Sequence, residues 1–301
     1  MTNHIRPNFK DLLPKREKNA HKGTCGRVGI VAGSSSMLGA AVLTAKGALL
    51  SGAGLVCLMT VKDAIPLINI QIPELIVLPL PTRQGYLADT TGSDVARYVK
   101  EFRMNVVAMG PGLGKATETA TMVRNLIKKI FPKFGVNLVL DADGLNALVA
   151  KDLKSLAQHQ AVLTPHHGEF EKMFGLPKEA NRQNLTQNAS VLCGQIVLLK
   201  GNETAISDGK KIFINPSGNE ALATAGSGDV LTGIIAGLMG QGLSGFDAAV
   251  LGAYLHGLCA NLGAKDLGIY SFTASSILNY LPKAFLHLQK LNFQQQYEVQ
   301  N

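Results

Sequence analysis

The sequence predicts an α/β domain in which a mainly parallel central sheet lies between two helix layers. Three observations carry that expectation. Short β-rich runs alternate with amphipathic or Ala-rich segments along the 301 residues. The runs are apolar throughout, as strands covered on both faces must be, whereas a half-exposed strand would alternate. No long linker, repeat or low-complexity stretch divides the chain. We therefore expect a single three-layer α/β/α domain over 1–301, with 1–20 as an N-terminal extension and 293–301 as a frayed tail.

The series opens with a strand at Arg27–Ala32 (RVGIVA), an Ala/Leu helix at Gly39–Ser51 and a strand at Leu55–Val61. Leu75–Leu80 and Asn105–Met109 read as further strands and Thr117–Ile130 as a helix. Val136–Leu140, Ala161–Thr164 and Ile196–Lys200 complete the parallel set. Beyond Gly201 the pattern changes. Thr204–Ser207 and Lys211–Ile214 flank Asp208-Gly209, a strong hairpin signal. Helices follow at Gly228–Met239, Phe246–Leu262 and Thr273–Leu288.

Hydrophobic residues make up 46% of the chain and charged residues 17%, which excludes disorder and a coiled coil. A net charge of +8 suits anionic partners. The basic runs Lys15-Arg16 and Lys128-Lys129 lack interleaved aromatics and Trp is absent, so a small anion fits better than nucleic acid. The four cysteines form no CxxC or Cys/His cluster, so neither zinc nor a disulfide framework is expected, and reduced thiols suggest the cytoplasm. The first residues lack the apolar core of a signal peptide. Two uncharged windows, Val230–Phe246 and Ala248–Ala264, carry scattered Gly, Ser, His and Asn; they read as buried helices, not membrane spans.

Chemistry gathers at strand ends. Ala225-Gly226-Ser227-Gly228 precedes a long apolar helix, an arrangement that points free N–H groups and the positive dipole end at one spot, where a phosphate can sit. Asp229 follows. It is either a first-turn acid favoured by the dipole or a base that takes a proton from a hydroxyl attacking phosphorus. Gly114-Lys115 is followed by Ala116, so there is no P-loop, and Gly110-Pro111-Gly112-Leu113-Gly114 has the wrong spacing for a dinucleotide fingerprint.

That glycine loop could meet a ligand or simply turn. Of Asp141 and Asp143, helix capping explains one. His166 lies where the chain turns after a strand, as a solvated loop residue or a ligand contact, and Lys200-Gly201 could meet phosphate or a purine ring. Gly33–Ser36 with Gly39-Ala40-Ala41 reads as close packing or substrate contact.

Taken in order, HKGTCG, VAGS…GAAVLTAKGALLSGAG, GPGLG, LDADGLNAL, LTPHHGEFEKM, LLKG and NPSGNEALATAGSGDVLTGIIAG resemble the ADP-dependent NAD(P)H-hydrate dehydratases of the ribokinase-like superfamily. The resemblance runs from about His21 to about Pro282 and includes AYLHG at Ala253–Gly257. It implies repair of hydrated NADH or NADPH with ADP as co-substrate, giving AMP and phosphate. Asp229 would be the base and Gly226, Ser227 and Gly228 the anion hole. Lys200, Gly201, Asn202, Glu203, Thr204 and Gly228 would contact the adenylate, and Ala40 or Ala41, Gly112, His166 and Asp229 the hydrate. Mg²⁺ would bridge the phosphates, its protein ligands unassigned.

Cys25, His167 and Ala225-Gly226-Ser227-Gly228 depart from the more usual Tyr, Pro and Gly-Gly-Thr-Gly. The resemblance further implies a homo-oligomer, with Phe246–Leu262 as a possible contact surface, and a separate epimerase acting in the same pathway. A kinase for a vitamin-precursor alcohol could use the same anion hole and Asp229. A catalytically silent nucleotide sensor is the third possibility.

Overall fold

The computed structural model describes residues 3–156, 159–175 and 181–298. In chain order the elements are β1 (Asn3–His4), β2 (Arg27–Val31), α1 (Leu38–Leu50), β3 (Leu55–Val61), α2 (Ile65–Gln71), β4 (Ile76–Leu80), β5 (Thr82–Arg83), β6 (Tyr86–Leu87), α3 (Gly92–Glu101), β7 (Val106–Met109), α4 (Thr117–Asn125) and β8 (Asn137–Leu140). They continue as α5 (Ala142–Asn146), β9 (Ala161–Leu163), α6 (His167–Phe174), α7 (Arg182–Cys193), β10 (Ile196–Leu199), β11 (Ala205–Ser207), β12 (Lys211–Ile214), α8 (Ser227–Gly240), α9 (Gly245–Leu267) and α10 (Ala274–Lys290).

One ten-stranded sheet has the order β1-β12-β11-β10-β9-β8-β7-β2-β3-β4. β11 runs against its neighbours β10 and β12, and the other pairings are parallel. From β2 the chain steps outward through β3 and β4. It returns to the other side of β2 at β7 and continues through β8, β9 and β10. The order therefore reverses between β2 and β7, where a crevice opens outside the carboxyl ends of the strands.

The α/β fold with its mainly parallel sheet is the one the apolar runs predict. Helices α1, α8, α9 and α10 pack together on one face. Small residues decide how closely. A Cβ on Gly233 would collide with the Thr44 carbonyl, one on Gly47 would stand 2.7 Å from the Val230 carbonyl, and one on Gly237 2.7 Å from that of Ala48. Helices α1 and α8 thus touch backbone to backbone. The two uncharged windows fall on α8 and α9, and no helix among the described residues is long and apolar enough to cross a membrane.

The structure corrects two expectations. Phe246–Leu262 is not an outer face: all its residues but Asp247 and Leu262 are buried, covered by α8, α10, the sheet and the 215–223 loop. Nor does 293–298 fray. The Gln296 side chain is fully buried, accepting from the Phe9 N–H at 2.9 Å and donating to Asn8 Oδ1 at 2.9 Å, and the Tyr297 hydroxyl donates to the Pro7 carbonyl at 2.8 Å. Phe9 stacks on Tyr254 with centroids 3.8 Å apart. A polar stretch reads as solvated in sequence, but its amides here strut the two ends of the chain together. Residues 299–301 of that predicted tail lie outside the described residues.

Candidate active site

The ends of β8 and β10 and the second turn of α8 meet at Asp141. Its side chain is almost completely buried: Lys200 Nζ lies 2.7 Å from Oδ1, and the Thr232 hydroxyl donates to Oδ2 at 2.7 Å. Neither acid of this segment caps a helix through its side chain, contrary to the capping expectation. Asp143 Oδ2 instead accepts from the Gly114 N–H at 2.8 Å, pinning the glycine loop after β7. A Cβ on Gly110 would run into the Asp141 carbonyl, so the two strand ends can abut only with glycine there.

The mouth of α8 is built from below. The 215–223 loop is tied to α9: the Asn215 amide donates to the Ser217 and Ala253 carbonyls, the Ser217 hydroxyl to the Tyr254 carbonyl at 2.8 Å, and the Asn219 amide to the Ala260 carbonyl. That anchoring brings Gly226 to the N-cap of α8 in the left-handed region, at φ +86°, which glycine adopts without strain. Ser227, Gly228 and Asp229 form the first turn, whose N–H groups have no intrahelical partner. A Cβ on Gly228 would stand 3.1 Å from Lys200 Nζ, so the ammonium lies against this turn. His256 of α9 supports it from behind, with Nε2 3.0 Å from the Ser227 carbonyl oxygen and 3.1 Å from Ser227 Oγ.

Charge follows from burial. Asp229 is pushed up to about 7, first by desolvation and then by the negative charge of Asp141; Asp143 adds to the rise and Lys200 opposes it. Burial works against the charge on Lys200, but attraction to Asp141 outweighs it and the ammonium is held above its ordinary value. Burial pushes His256 down to about 4, so it is neutral at pH 7. The Ser227 N–H donates to the Thr224 carbonyl at 3.3 Å. A carboxylate that titrates near neutrality beside an ammonium and the start of a helix can take a proton while an anion is held next to it.

The expected anion-hole residues Gly226, Ser227 and Gly228 therefore sit together with Asp229 and the Lys200 side chain. The run Lys200–Thr204 divides. Lys200 turns inward, while Gly201 to Thr204 form a surface turn in which the Thr204 hydroxyl donates to the Gly201 carbonyl at 2.9 Å and Asn202 and Glu203 are exposed. Arg182 donates to the Lys200 carbonyl at 3.0 Å and lies against Gly201.

On the switch-point side, a Cβ on Gly112 would stand 2.9 Å from that of Ala40 and 2.6 Å from the Met37 carbonyl, so Gly112 and Ala40 are neighbours. Ala41 is buried beneath Gly33; of the two alanines, Ala40 is the one only partly covered. His166 is the N-cap of α6 in a capping box with Glu169, accepting through Nδ1 from the Glu169 N–H, and its side chain is 59% exposed. The β5–β6 hairpin, absent from the sequence expectations, leans over these loops: the Gly85 carbonyl accepts from the Ser35 N–H at 2.9 Å, and Tyr86 abuts Gly114.

Sequence reasoning missed Thr232, His256 and Arg182 as partners of the site. The signal for the first two was a polar side chain inside an otherwise apolar helix, which must find a partner once buried. Among the described residues no three His, Cys, Asp or Glu side chains could together hold a metal ion.

A family model described as NAD(P)H-hydrate dehydratase matches residues 28–283. A bifunctional NAD(P)H-hydrate repair enzyme of Moorella thermoacetica is 38% identical over 288 residues, covering 93% of this chain and 53% of that protein. The chain thus spans about half the length of the first curated relatives it matches. The ADP-dependent (S)-NAD(P)H-hydrate dehydratase of Bacillus subtilis is 33% identical over 278 residues, covering 91% of this chain and 94% of that one. A crystal structure of an ADP/ATP-dependent NAD(P)H-hydrate dehydratase from B. subtilis, co-crystallised with ATP and Mg²⁺, superposes with a TM-score of 0.80 at 28% identity over 96% of this chain and 99% of that one.

Proposed function

This chain belongs to the NAD(P)H-hydrate dehydratase family, and from that premise we propose that it restores hydrated NADH or NADPH at the expense of ADP, giving AMP and phosphate. The observation that carries the reading is Asp229, a buried carboxylate held near pKa 7 in the first turn of α8, beside Gly226-Ser227-Gly228 and Lys200.

In this mechanism the hydrate lies over Gly112, Ala40 and His166, with its C6 hydroxyl at Asp229. The carboxylate accepts the hydroxyl proton, and the oxygen forms a bond to the β-phosphorus of ADP as the bond between that phosphorus and the bridging oxygen of AMP breaks. Backbone N–H groups of the Gly226–Gly228 turn and the Lys200 ammonium meet the charge that builds on the phosphoryl oxygens. The C6–O bond of the phosphate ester then breaks with loss of a proton from C5. That restores the C5=C6 double bond and releases phosphate. The turn at Gly201, Asn202, Glu203 and Thr204 is the proposed adenylate contact.

Asp141 is committed to Lys200 and Thr232, and one oxygen of Asp143 to Gly114. The residues present therefore suit a cation carried mainly by phosphate and water, with Asp229 and Asp143 the carboxylates that face each other electrostatically near the mouth. Mg²⁺ there would neutralise phosphate charge. Free cysteines support a reducing compartment such as the cytoplasm, and a homo-oligomer remains part of the proposal.

Recovery of absorbance at 340 nm when protein, ADP and Mg²⁺ are added to chemically hydrated NADH, with AMP formed in step, is the expected result. ADP binding without recovery, together with ATP-dependent phosphorylation of an alcohol, would replace the dehydratase reading with the vitamin-precursor kinase.

A further inference from the structure

His256 is a buried imidazole in the middle of an apolar helix, and the mechanism above makes no use of it. Its Nε2 faces two oxygens of one residue, the carbonyl oxygen of Ser227 at 3.0 Å and Ser227 Oγ at 3.1 Å. A carbonyl oxygen can only accept, so Nε2 carries the proton. The same N–H then also faces Oγ, which accepts from it. With its lone pair used in that way, the hydroxyl keeps its own proton uncommitted, and Ser227 is the first residue of α8, between Gly226 and Gly228.

We propose that His256 is a positioning residue: by donating to both Ser227 oxygens it holds the hydroxyl so that its proton is presented to the phosphoryl group at the mouth of α8. Ser227 would then supply a side-chain donor at a residue whose backbone N–H already donates to the Thr224 carbonyl. The inference rests on the dehydratase reading in so far as phosphoryl transfer is the step the donor serves. Charge around the imidazole is compatible with the role. Lys200 is the charged group acting on it, and together with burial it keeps the ring neutral, so His256 holds the same tautomer across the working pH range.

Two measurements on the full chain test this. The first is the nitrogen-15 NMR spectrum of protein labelled at histidine, in which His256 should show a protonated Nε2 and a bare Nδ1. The reverse tautomer would force the Ser227 hydroxyl to donate into the ring and would overturn the proposal. The second is kinetic. Ser227→Ala and His256→Leu should each lower kcat about 10²-fold, the cost of one lost oxyanion donor, with KM for the hydrate and ADP affinity little changed. The double variant should be no worse than either single one. His256→Gln, whose amide can donate to the same oxygens, should recover most of the rate, which a merely space-filling role would not require.

Wild-type kcat in Ser227→Ala, or losses that multiply in the double variant, would sink the idea. Should His256→Leu fail to fold, the tautomer and the Ser227→Ala and His256→Gln rates decide it. A wild-type protein that releases no phosphate from ADP and hydrate would remove the dehydratase reading itself, and the tautomer measurement would still report on the His256–Ser227 contact.

Discussion

Lys200 Nζ reaches from the end of β10 past the end of β9 to lie 2.7 Å from Asp141 Oδ1 at the end of β8. The pair sets the field in which Asp229 works, because Asp141 raises the proton affinity of Asp229 and Lys200 lowers it. Asp143 also acts on Asp229, and Glu169 faces Lys200 from α6.

Replacing Asp141 by Asn should therefore have two separable effects. Lys200 is left without its counter-charge, a loss of about 3 kcal/mol in urea unfolding. The acid limb of the kcat/KM profile should move to lower pH, since a charge that raises Asp229 is gone and Lys200 is freed to attract it. An acid limb that stays in place or moves upward would remove Asp141 from any tuning role.

The wild-type profile follows from Asp229 itself. In the free enzyme kcat/KM should rise about tenfold per pH unit below about pH 7 and flatten above it. Asp229→Asn should lose about 10³ in kcat yet still bind ADP. Stability moves the other way. The folded value of about 7 lies above the ordinary 3.8, so the folded state binds more protons between them and wild-type stability falls as pH rises through that window. Asp229→Asn should accordingly melt higher than wild type at pH 8, and the difference should vanish below about pH 4; equal melting at pH 8 would contradict the buried-base assignment.

Gly112 has φ +64°, and a Cβ there would press on the Met37 carbonyl and Ala40. Gly112→Ala should therefore lower kcat/KM for the hydrate at least about tenfold by displacing the loop at the switch point. Calorimetric titration with ADP should be unaffected; parallel loss of ADP affinity would show that the loop does not belong to the hydrate alone.

Gly233→Ala tests the α1–α8 contact. Its methyl group meets the Thr44 carbonyl, a backbone atom that can move only with its helix. A loss of about 3 kcal/mol is expected, read from the urea midpoint. A loss below about 0.5 kcal/mol would mean that the helices part at little cost.

Much of this was legible in the sequence for identifiable reasons. Apolar runs gave the parallel strands because burial on both faces leaves no room for alternation, and the glycines around Ser227 marked the start of α8, whose N-cap Gly226 has a positive φ. Asp141 was read as a cap or a site acid without its partner, since Lys200 lies 59 positions away and a single sequence carries no sign of that pairing. His256 was hidden for the same reason, 29 positions from Ser227. Residues 293–298 were misread because a buried glutamine and an exposed one look alike until the surface they bridge exists. The β5–β6 hairpin was missed because two-residue strands have no period to detect.

The glycine contact between α1 and α8 has a mechanical consequence. Helix α1 starts immediately after Met37, whose carbonyl covers Gly112, and α8 starts at the Gly226–Gly228 turn, the proposed phosphate contact. With backbone meeting backbone at Gly47, Gly233 and Gly237, the two rods cannot roll or slide independently. On the proposed reading, the loop that would hold the hydrate and the turn that would hold the nucleotide are thus machined into one rigid part, and the distance between attacking oxygen and phosphorus would be a dimension of the fold, set before either ligand arrives.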